Sequence, residues 1–230
     1  MVSAFENDMC GRFAFYSPSE ATAALFGATS STEVIPRYNI APPQFIAAVR
    51  MDAQGASELA MLRWGLVPFW AKDPSIGNRM INARAETVAE KPSFRSAYKK
   101  RRCLILADGF YEWRKEGDGK TPYFISLADG SPFAFAGLWE DWNSKESDES
   151  LQSTAIITTA ANDFMAQLHQ RMPVVMLPEQ AERWLGGDME LLSKVIDNSP
   201  AFRAWPVDRK VNNARNEDAT LIDPAGEMIS

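Results

Sequence analysis

The sequence predicts an α+β domain built on a curved, barrel-like, mainly antiparallel sheet with flanking short helices. Three observations lead there. Eight short β-type runs succeed one another between residues 45 and 177, turn signals separate them, and an alternating strand–helix rhythm is absent. The last point sets aside Rossmann and TIM architectures. At 230 residues, with 46% hydrophobic and 23% charged residues, the chain is ordinary globular material. It is long enough to bury roughly 70% of its unfolded surface in one core without metal or disulfide staples.

Taken in chain order, Ser17-Pro18-Ser19-Glu20 reads as a capped helix start, with Ser17 as N-cap and Pro18 at the first helical position. Strands are expected at 45–50, 58–64, 103–107, 110–114, 123–127, 133–138, 154–159 and 174–177. Helices are expected at 162–169 and at 178–185, where Pro178 occupies a first-turn position. The stretch 143–150, NSKESDES, lacks any apolar side chain and reads as a loop between two strands. No internal repeat divides the chain.

Composition narrows the function. No run of about 18 apolar residues exists, and the N-terminus has neither a basic nor an apolar leader region, so spanning and secretion are disfavoured. A cytoplasmic protein is expected. Two cysteines, Cys10 and Cys103, fit a reducing compartment, and Cys103 in an apolar strand reads as core filler. The net charge of −6 argues against a non-specific nucleic-acid binder. The charge is uneven, however: residues 79–102 carry eight basic against two acidic side chains, whereas 140–149 carry five acidic against one basic. The basic run is either a solvated face or a local phosphate-binding surface.

Several residues have chemical potential. His169 is the single histidine; placed at the end of a predicted helix, it would be favoured as imidazolium, and Arg171 beside it could hold an anion. A structural or merely exposed imidazole is the plain alternative. Cys10 follows Met9, so loss of the preceding residues would leave a thiol beside a free α-amine, whose pKa near 8 makes it a better nucleophile than lysine at neutral pH. Such a 1,2-aminothiol captures aldehydes as thiazolidines. Otherwise Cys10 is a small core residue. Glu112, flanked by aromatics, is either a desolvated acid–base group or an exposed strand residue. Asn82 and Arg84 offer an amide and a guanidinium to a sugar and a phosphate, or a helix cap and a surface charge. Aromatic residues at 64–70, Phe69 and Trp70 among them, pack inside or stack on unpaired bases. One histidine and two distant cysteines give no metal-ligand spacing, phosphate-cradling loops are missing, and no cofactor is expected.

Six ordered blocks between residues 9 and 173 carry a resemblance: Met9-Cys10-Gly11-Arg12-Phe13, Arg37-Tyr38-Asn39-Ile40-Ala41-Pro42, Arg63-Trp64-Gly65-Leu66-Val67-Pro68, Asn82-Ala83-Arg84-Ala85-Glu86-Thr87, Asp108-Gly109-Phe110-Tyr111-Glu112-Trp113 and His169-Gln170-Arg171-Met172-Pro173. Together they closely resemble the SOS response-associated peptidase (SRAP) family, with the part after Leu185 contributing least. The resemblance implies a single domain that senses abasic sites in single-stranded DNA during the DNA-damage response and crosslinks to them through an N-terminal cysteine. It implies Cys10 as the attacking residue, Asn82 positioning the opened sugar or the amine, Glu112 as acid and base, and His169 acting on the sugar-ring oxygen. Arg12, Arg84 and Arg171 match expected phosphate contacts, and Phe69 and Trp70 the stacking pair. Autoproteolytic release of the residue before the cysteine belongs to the same pattern. Residues 1–9 depart from it; they are expected to be a cleaved leader or a misassigned start ahead of one domain at 10–230. The expected partner is abasic single-stranded DNA, bound by a monomer associated with the nucleoid when on DNA, without metal or membrane. The rival readings are a thiol peptidase acting on other proteins and a non-covalent single-strand binding module.

Overall fold

The computed structural model describes residues 10–29, 33–144 and 146–230. The expected leader, 1–9, lies outside the described residues. Among the described residues thirteen strands form: β1 (Phe13–Phe15), β2 (Arg37–Ile40), β3 (Phe45–Met51), β4 (Ser57–Trp64), β5 (Asn82–Arg84), β6 (Arg102–Ala107), β7 (Gly109–Glu116), β8 (Gly119–Leu127), β9 (Phe133–Asn143), β10 (Ser150–Ala160), β11 (Arg171–Pro173), β12 (Val175–Met176) and β13 (Phe202–Pro206). Four short helices accompany them: α1 (Ser19–Leu25), α2 (Arg95–Lys100), α3 (Ala181–Leu185) and α4 (Leu191–Asp197).

Two sheets share the work. One is a five-stranded barrel, β4-β3-β6-β9-β10, closed because β10 pairs antiparallel with β9 and parallel with β4. Closure removes the exposed edges that an open sheet of apolar strands would present. The other sheet runs β13-β8-β7-β1-β2 and is antiparallel throughout. The chain crosses from barrel to second sheet between β6 and β7, at Asp108. That carboxylate is buried and accepts hydrogen bonds from the N–H groups of Tyr16 and Ser17 and from the Ser17 hydroxyl, which ties the β1–α1 turn to the crossing.

Alternating apolar residues of β6 and β9 fill the barrel. Phe135 is the hub, meeting Phe13, Phe110 and Phe133 edge-on at 5.3–5.9 Å between ring centres. Each of these fully buried rings contributes roughly 2–3 kcal/mol by area, with edge-to-face geometry adding about 1 kcal/mol per pair. Cys103 is filler, as expected: its sulfur lies against Gly137, where a Cβ would come within 2.7 Å of it.

Seven of the eight predicted strands form over their expected length, the eighth, 174–177, is cut to the two residues of β12, and the predicted 143–150 loop joins β9 to β10 with its end residues Asn143 and Ser150 taken into those strands. Three helix expectations need correction. α1 starts at Ser19 with Pro18 preceding it and no side-chain cap, because the Ser17 hydroxyl is drawn to Asp108 instead. The predicted 162–169 helix shrinks to one 3-10 turn, Met165–Gln167, since the chain must return at once to pair β11 with β10. The predicted 178–185 helix is a 3-10 turn, Pro178–Gln180, running into α3. No helix among the described residues is long and apolar enough to cross a membrane.

Candidate active site

The register of β1 against β7 builds the centre of the site. Phe13 faces Phe110 and Ala14 faces Gly109, and the Tyr111 N–H donates to the Arg12 carbonyl at 2.9 Å. Continued past Arg12 and Tyr111, this pairing sets Gly11 opposite Glu112 and Cys10 next to it. The Cys10 main-chain N–H donates to Glu112 Oε1 at 2.8 Å. Both residues are buried, at 1% and 4% exposure, so the exposed-strand alternative for Glu112 is excluded.

Burial raises the Glu112 carboxyl to about 8, against the pull of the Cys10 N–H, the Lys120 charge and the Trp113 N–H. It therefore exchanges a proton near neutral pH. The Cys10 thiol is pushed up as well, by burial and by the Glu112 charge, which holds it as a thiol. Cys10 has φ +47°, a left-handed conformation costing a non-glycine residue about 1 kcal/mol or more. The space beside the next residue is open: a Cβ placed on Gly11 would touch nothing within 4 Å.

On the barrel side, β10 is flanked by β5 and β11. Asn82 stands opposite Ile156, Arg84 opposite Thr158, and Arg171 opposite Ala160. His169 follows the Met165–Gln167 turn and is half-buried, its Nδ1 accepting the Arg171 N–H at 3.2 Å. That bond leaves the neutral ring's proton on Nε2. Burial, with the Lys120 and Arg171 charges, lowers the imidazole below its usual value. The imidazolium expected from a helix C-terminus is thus corrected, because a single 3-10 turn supplies no helix dipole to outweigh desolvation. Lys120 acts electrostatically on both Glu112 and His169.

The three arginines differ. Arg84 is exposed and enters no ion pair among the described residues. Arg171 is engaged by Glu86 and Thr158. Arg12 is turned inward, its Nη1 donating to Asn39 Oδ1 and to the Val211 carbonyl, both at 2.7 Å, with its guanidinium 5.8 Å from the Trp113 ring centre. The aromatic turn also divides. Trp64 is buried, its indole N–H on the Ile81 carbonyl, whereas Phe69 and Trp70 stand 53% and 42% exposed. Gly65, at φ +123°, presses against Gly77; a Cβ on either would come within 2.6 Å of the other's carbonyl oxygen, so only glycine lets this turn close. The basic run does not form one face, since Arg101 pairs with Glu140 and Arg102 is buried between Tyr98 and Trp184.

Sequence reasoning missed the C-terminal contribution. Asn39 is fully buried, and its amide donates to the carbonyls of Val211, Asn213 and Asn216 while its oxygen receives Arg12. Glu217 accepts from the N–H groups of Tyr38 and Asn39 and pairs with Arg37 at 2.7 Å. Asn212 receives the Trp113 indole N–H at 2.7 Å. Segment 211–217 is therefore latched against the floor beneath Arg12. The signal available was the polar Asn39 inside an otherwise quoted block; nothing local paired it with residues about 175 positions away. A separate cleft of about 590 Å³, lined by Phe15, Arg37, Gln44, Phe45 and Met61 among others, contains none of Cys10, Asn82, Glu112 or His169.

The profile of a family described as SOS response associated peptidase (SRAP) matches residues 9–214. The chain is 41% identical over 224 residues to the abasic site processing protein YoqW of Bacillus subtilis (strain 168), covering 94% of this chain and 99% of that one. It is 32% identical over 228 residues to the abasic site processing protein YedK of Escherichia coli (strain K12), covering 94% and 100%. Among solved structures, an X-ray structure of a protein from Bacteroides thetaiotaomicron superposes with a TM-score of 0.85 at 26% identity, over 94% of this chain and all of that one.

Proposed function

Because the chain belongs to the SOS response associated peptidase (SRAP) family, we propose that it captures abasic sites in single-stranded DNA, with Cys10 as the crosslinking residue, and shields the lesion during the DNA-damage response. The observation that carries this reading is the 2.8 Å contact between the Cys10 main-chain nitrogen and the buried Glu112 carboxylate. Burial holds the carboxyl at about 8 while the Cys10 nitrogen is an amide; once that nitrogen is a free α-amine, of ordinary pKa near 8, the two groups stand at hydrogen-bond distance and pass a proton directly, as acid–base catalysis of imine formation requires.

The chemistry begins with release of the preceding residues. The Cys10 sulfur attacks the Met9 carbonyl as its thiol proton passes to Glu112, the C–N bond breaks as Glu112 hands that proton to the departing nitrogen, and water hydrolyses the thioester, releasing the leader as a carboxylic acid and freeing the thiol. Relief of the left-handed Cys10 conformation favours the cut. In enzyme terms this is a self-cleaving cysteine peptidase step. The lyase-like step follows: the freed amine attacks C1′ of the open-chain sugar, Glu112 moves the ammonium proton to the carbinolamine oxygen, and water leaves to give the imine. The thiol then adds across the C=N bond, sulfur to C1′ and proton to nitrogen, closing the thiazolidine with one water lost overall. Neutral His169 offers its Nε2–H as a hydrogen bond to the ring oxygen as the sugar opens, the C1′ hydroxyl proton passing to that oxygen through water, and Asn82 orients the opened chain. Arg84 meets the backbone, and Phe69 and Trp70 stack on flanking bases, a grip indifferent to sequence.

A thiol peptidase acting on other proteins fits less well. Its base would be His169, whose Nδ1 already accepts the Arg171 N–H and has no lone pair left to take a thiol proton there. The test is intact mass before and after incubation with an oligonucleotide carrying one abasic site. Protein beginning at Cys10 is expected to gain the oligonucleotide mass less one water. Protein beginning at Cys10 that gains nothing overturns the covalent reading.

A further inference from the structure

On that reading DNA runs past Arg84, and Arg171, the phosphate contact expected across β10 from it, is already held by a carboxylate. Glu86 leaves the end of β5 two residues after Arg84 and reaches over β10 to Arg171. There it forms a two-pronged ion pair, Nη1 to Oε1 at 2.6 Å and Nη2 to Oε2 at 3.0 Å. This is the geometry with which a guanidinium grips a phosphate. The Arg171 hydrogen bonds, aided by the charges of Arg171 and then Arg84, hold the Glu86 carboxyl below the ordinary range, so it stays ionised at neutral pH. The Glu86 side chain is nevertheless 46% exposed, on the solvent side of a partner that is only 18% exposed.

We infer that Glu86 is a specificity-determining competitor for the DNA backbone: it occupies Arg171 as a phosphate would and repels the strand, keeping undamaged single strands weakly held. Retention then depends on the covalent step at a lesion. The alternative role, a brace that holds Arg171 in place, is already filled. Arg171 Nη2 also donates to the Thr158 carbonyl at 2.9 Å and its hydroxyl at 3.2 Å, and β11 pairing fixes the main chain. Removing the Glu86 charge leaves those anchors and frees one net positive charge beside Arg84.

The inference rests on the proposed function, and two measurements keep their failures apart. Wild type, Glu86→Gln and Glu86→Ala, each mass-checked to begin at Cys10, are titrated against an undamaged fluorescent oligonucleotide across salt. Each is then tested for crosslinking to an abasic oligonucleotide in the presence of excess undamaged strand. Both variants are expected to bind undamaged strand about fivefold tighter at low salt, the effect of one partly screened charge. Their salt dependence steepens by about 0.7 in log–log slope if one more phosphate is engaged. Crosslink yield falls under competition and is unchanged without it. Unchanged or weaker binding of undamaged strand by both variants overturns the inference, whatever the crosslinking result. Wild type that binds the strand but never crosslinks overturns the functional reading, while the affinity ratio still decides the role of Glu86.

Discussion

Replacing Glu112 by glutamine isolates the energetics of the site from its chemistry. In the fold the carboxyl titrates at about 8; in the unfolded chain it titrates near 4.5. Between those values the folded protein keeps a proton that the unfolded chain has released, so folding stability falls as pH rises through this window. Each pH unit inside the window is worth about 1.4 kcal/mol, and integration from pH 5 to pH 8 gives about 3.5 kcal/mol. The amide in Glu112→Gln keeps an acceptor for the Cys10 N–H and does not titrate. Urea unfolding followed by tryptophan fluorescence, on both proteins in the same N-terminal form at pH 5 and pH 8, measures the difference directly. Wild type is expected to lose about 3.5 kcal/mol relative to the variant over that interval. His169 and every other titrating group is common to both proteins and cancels to first order. A stability difference that is the same at both pH values refutes the raised carboxyl, and with it the proton-matching argument for imine formation.

Other consequences are independent of that one. Asn39→Ala removes the acceptor for Arg12 and the donors to three carbonyls of the 211–216 segment; a loss of about 2–4 kcal/mol in urea unfolding is expected, with faster amide exchange confined first to 209–217. Gly77→Ala puts a methyl within 2.5 Å of the Gly65 oxygen; expected are a cost of about 2 kcal/mol or more and a displaced 65–70 turn, and a melting temperature equal to wild type would contradict it. Phe69→Ala and Trp70→Ala remove exposed rings, so stability should change by less than about 0.5 kcal/mol, while affinity for single-stranded DNA drops by about 1–3 kcal/mol per ring. Arg102→Ala strips a buried guanidinium from between Tyr98 and Trp184 and from the Tyr98 carbonyl; an expected loss of about 2–4 kcal/mol without change in DNA affinity would separate it from the basic residues that face solvent.

Much of the fold was legible because it rests on local alternation. The eight apolar runs at 45–50 through 174–177 are strands because their side chains must alternate between the two faces of a sheet. The short strands β1, β2, β5, β11 and β13 carry three to five residues each, too few for a period to show, and they exist because a partner strand offers hydrogen bonds. The helix expected at 162–169 failed for the same reason, pairing with β10 overriding local preference.

For the site, the sequence by itself determined the chemical types: an aminothiol-capable Cys10, a carboxylate among aromatics at Glu112, one imidazole at His169, and basic and aromatic side chains around them. These are properties of residues and their immediate neighbours. Only the tertiary structure decided which of them meet and in what state. The β1–β7 register brings Cys10 to Glu112 across 102 residues, burial turns an ordinary carboxyl into one that exchanges protons near neutral pH, and long-range partners draw Arg12 inward and occupy Arg171 while leaving Arg84 to solvent. Desolvation and pairing are set by what surrounds a group in three dimensions, and no local pattern encodes those surroundings.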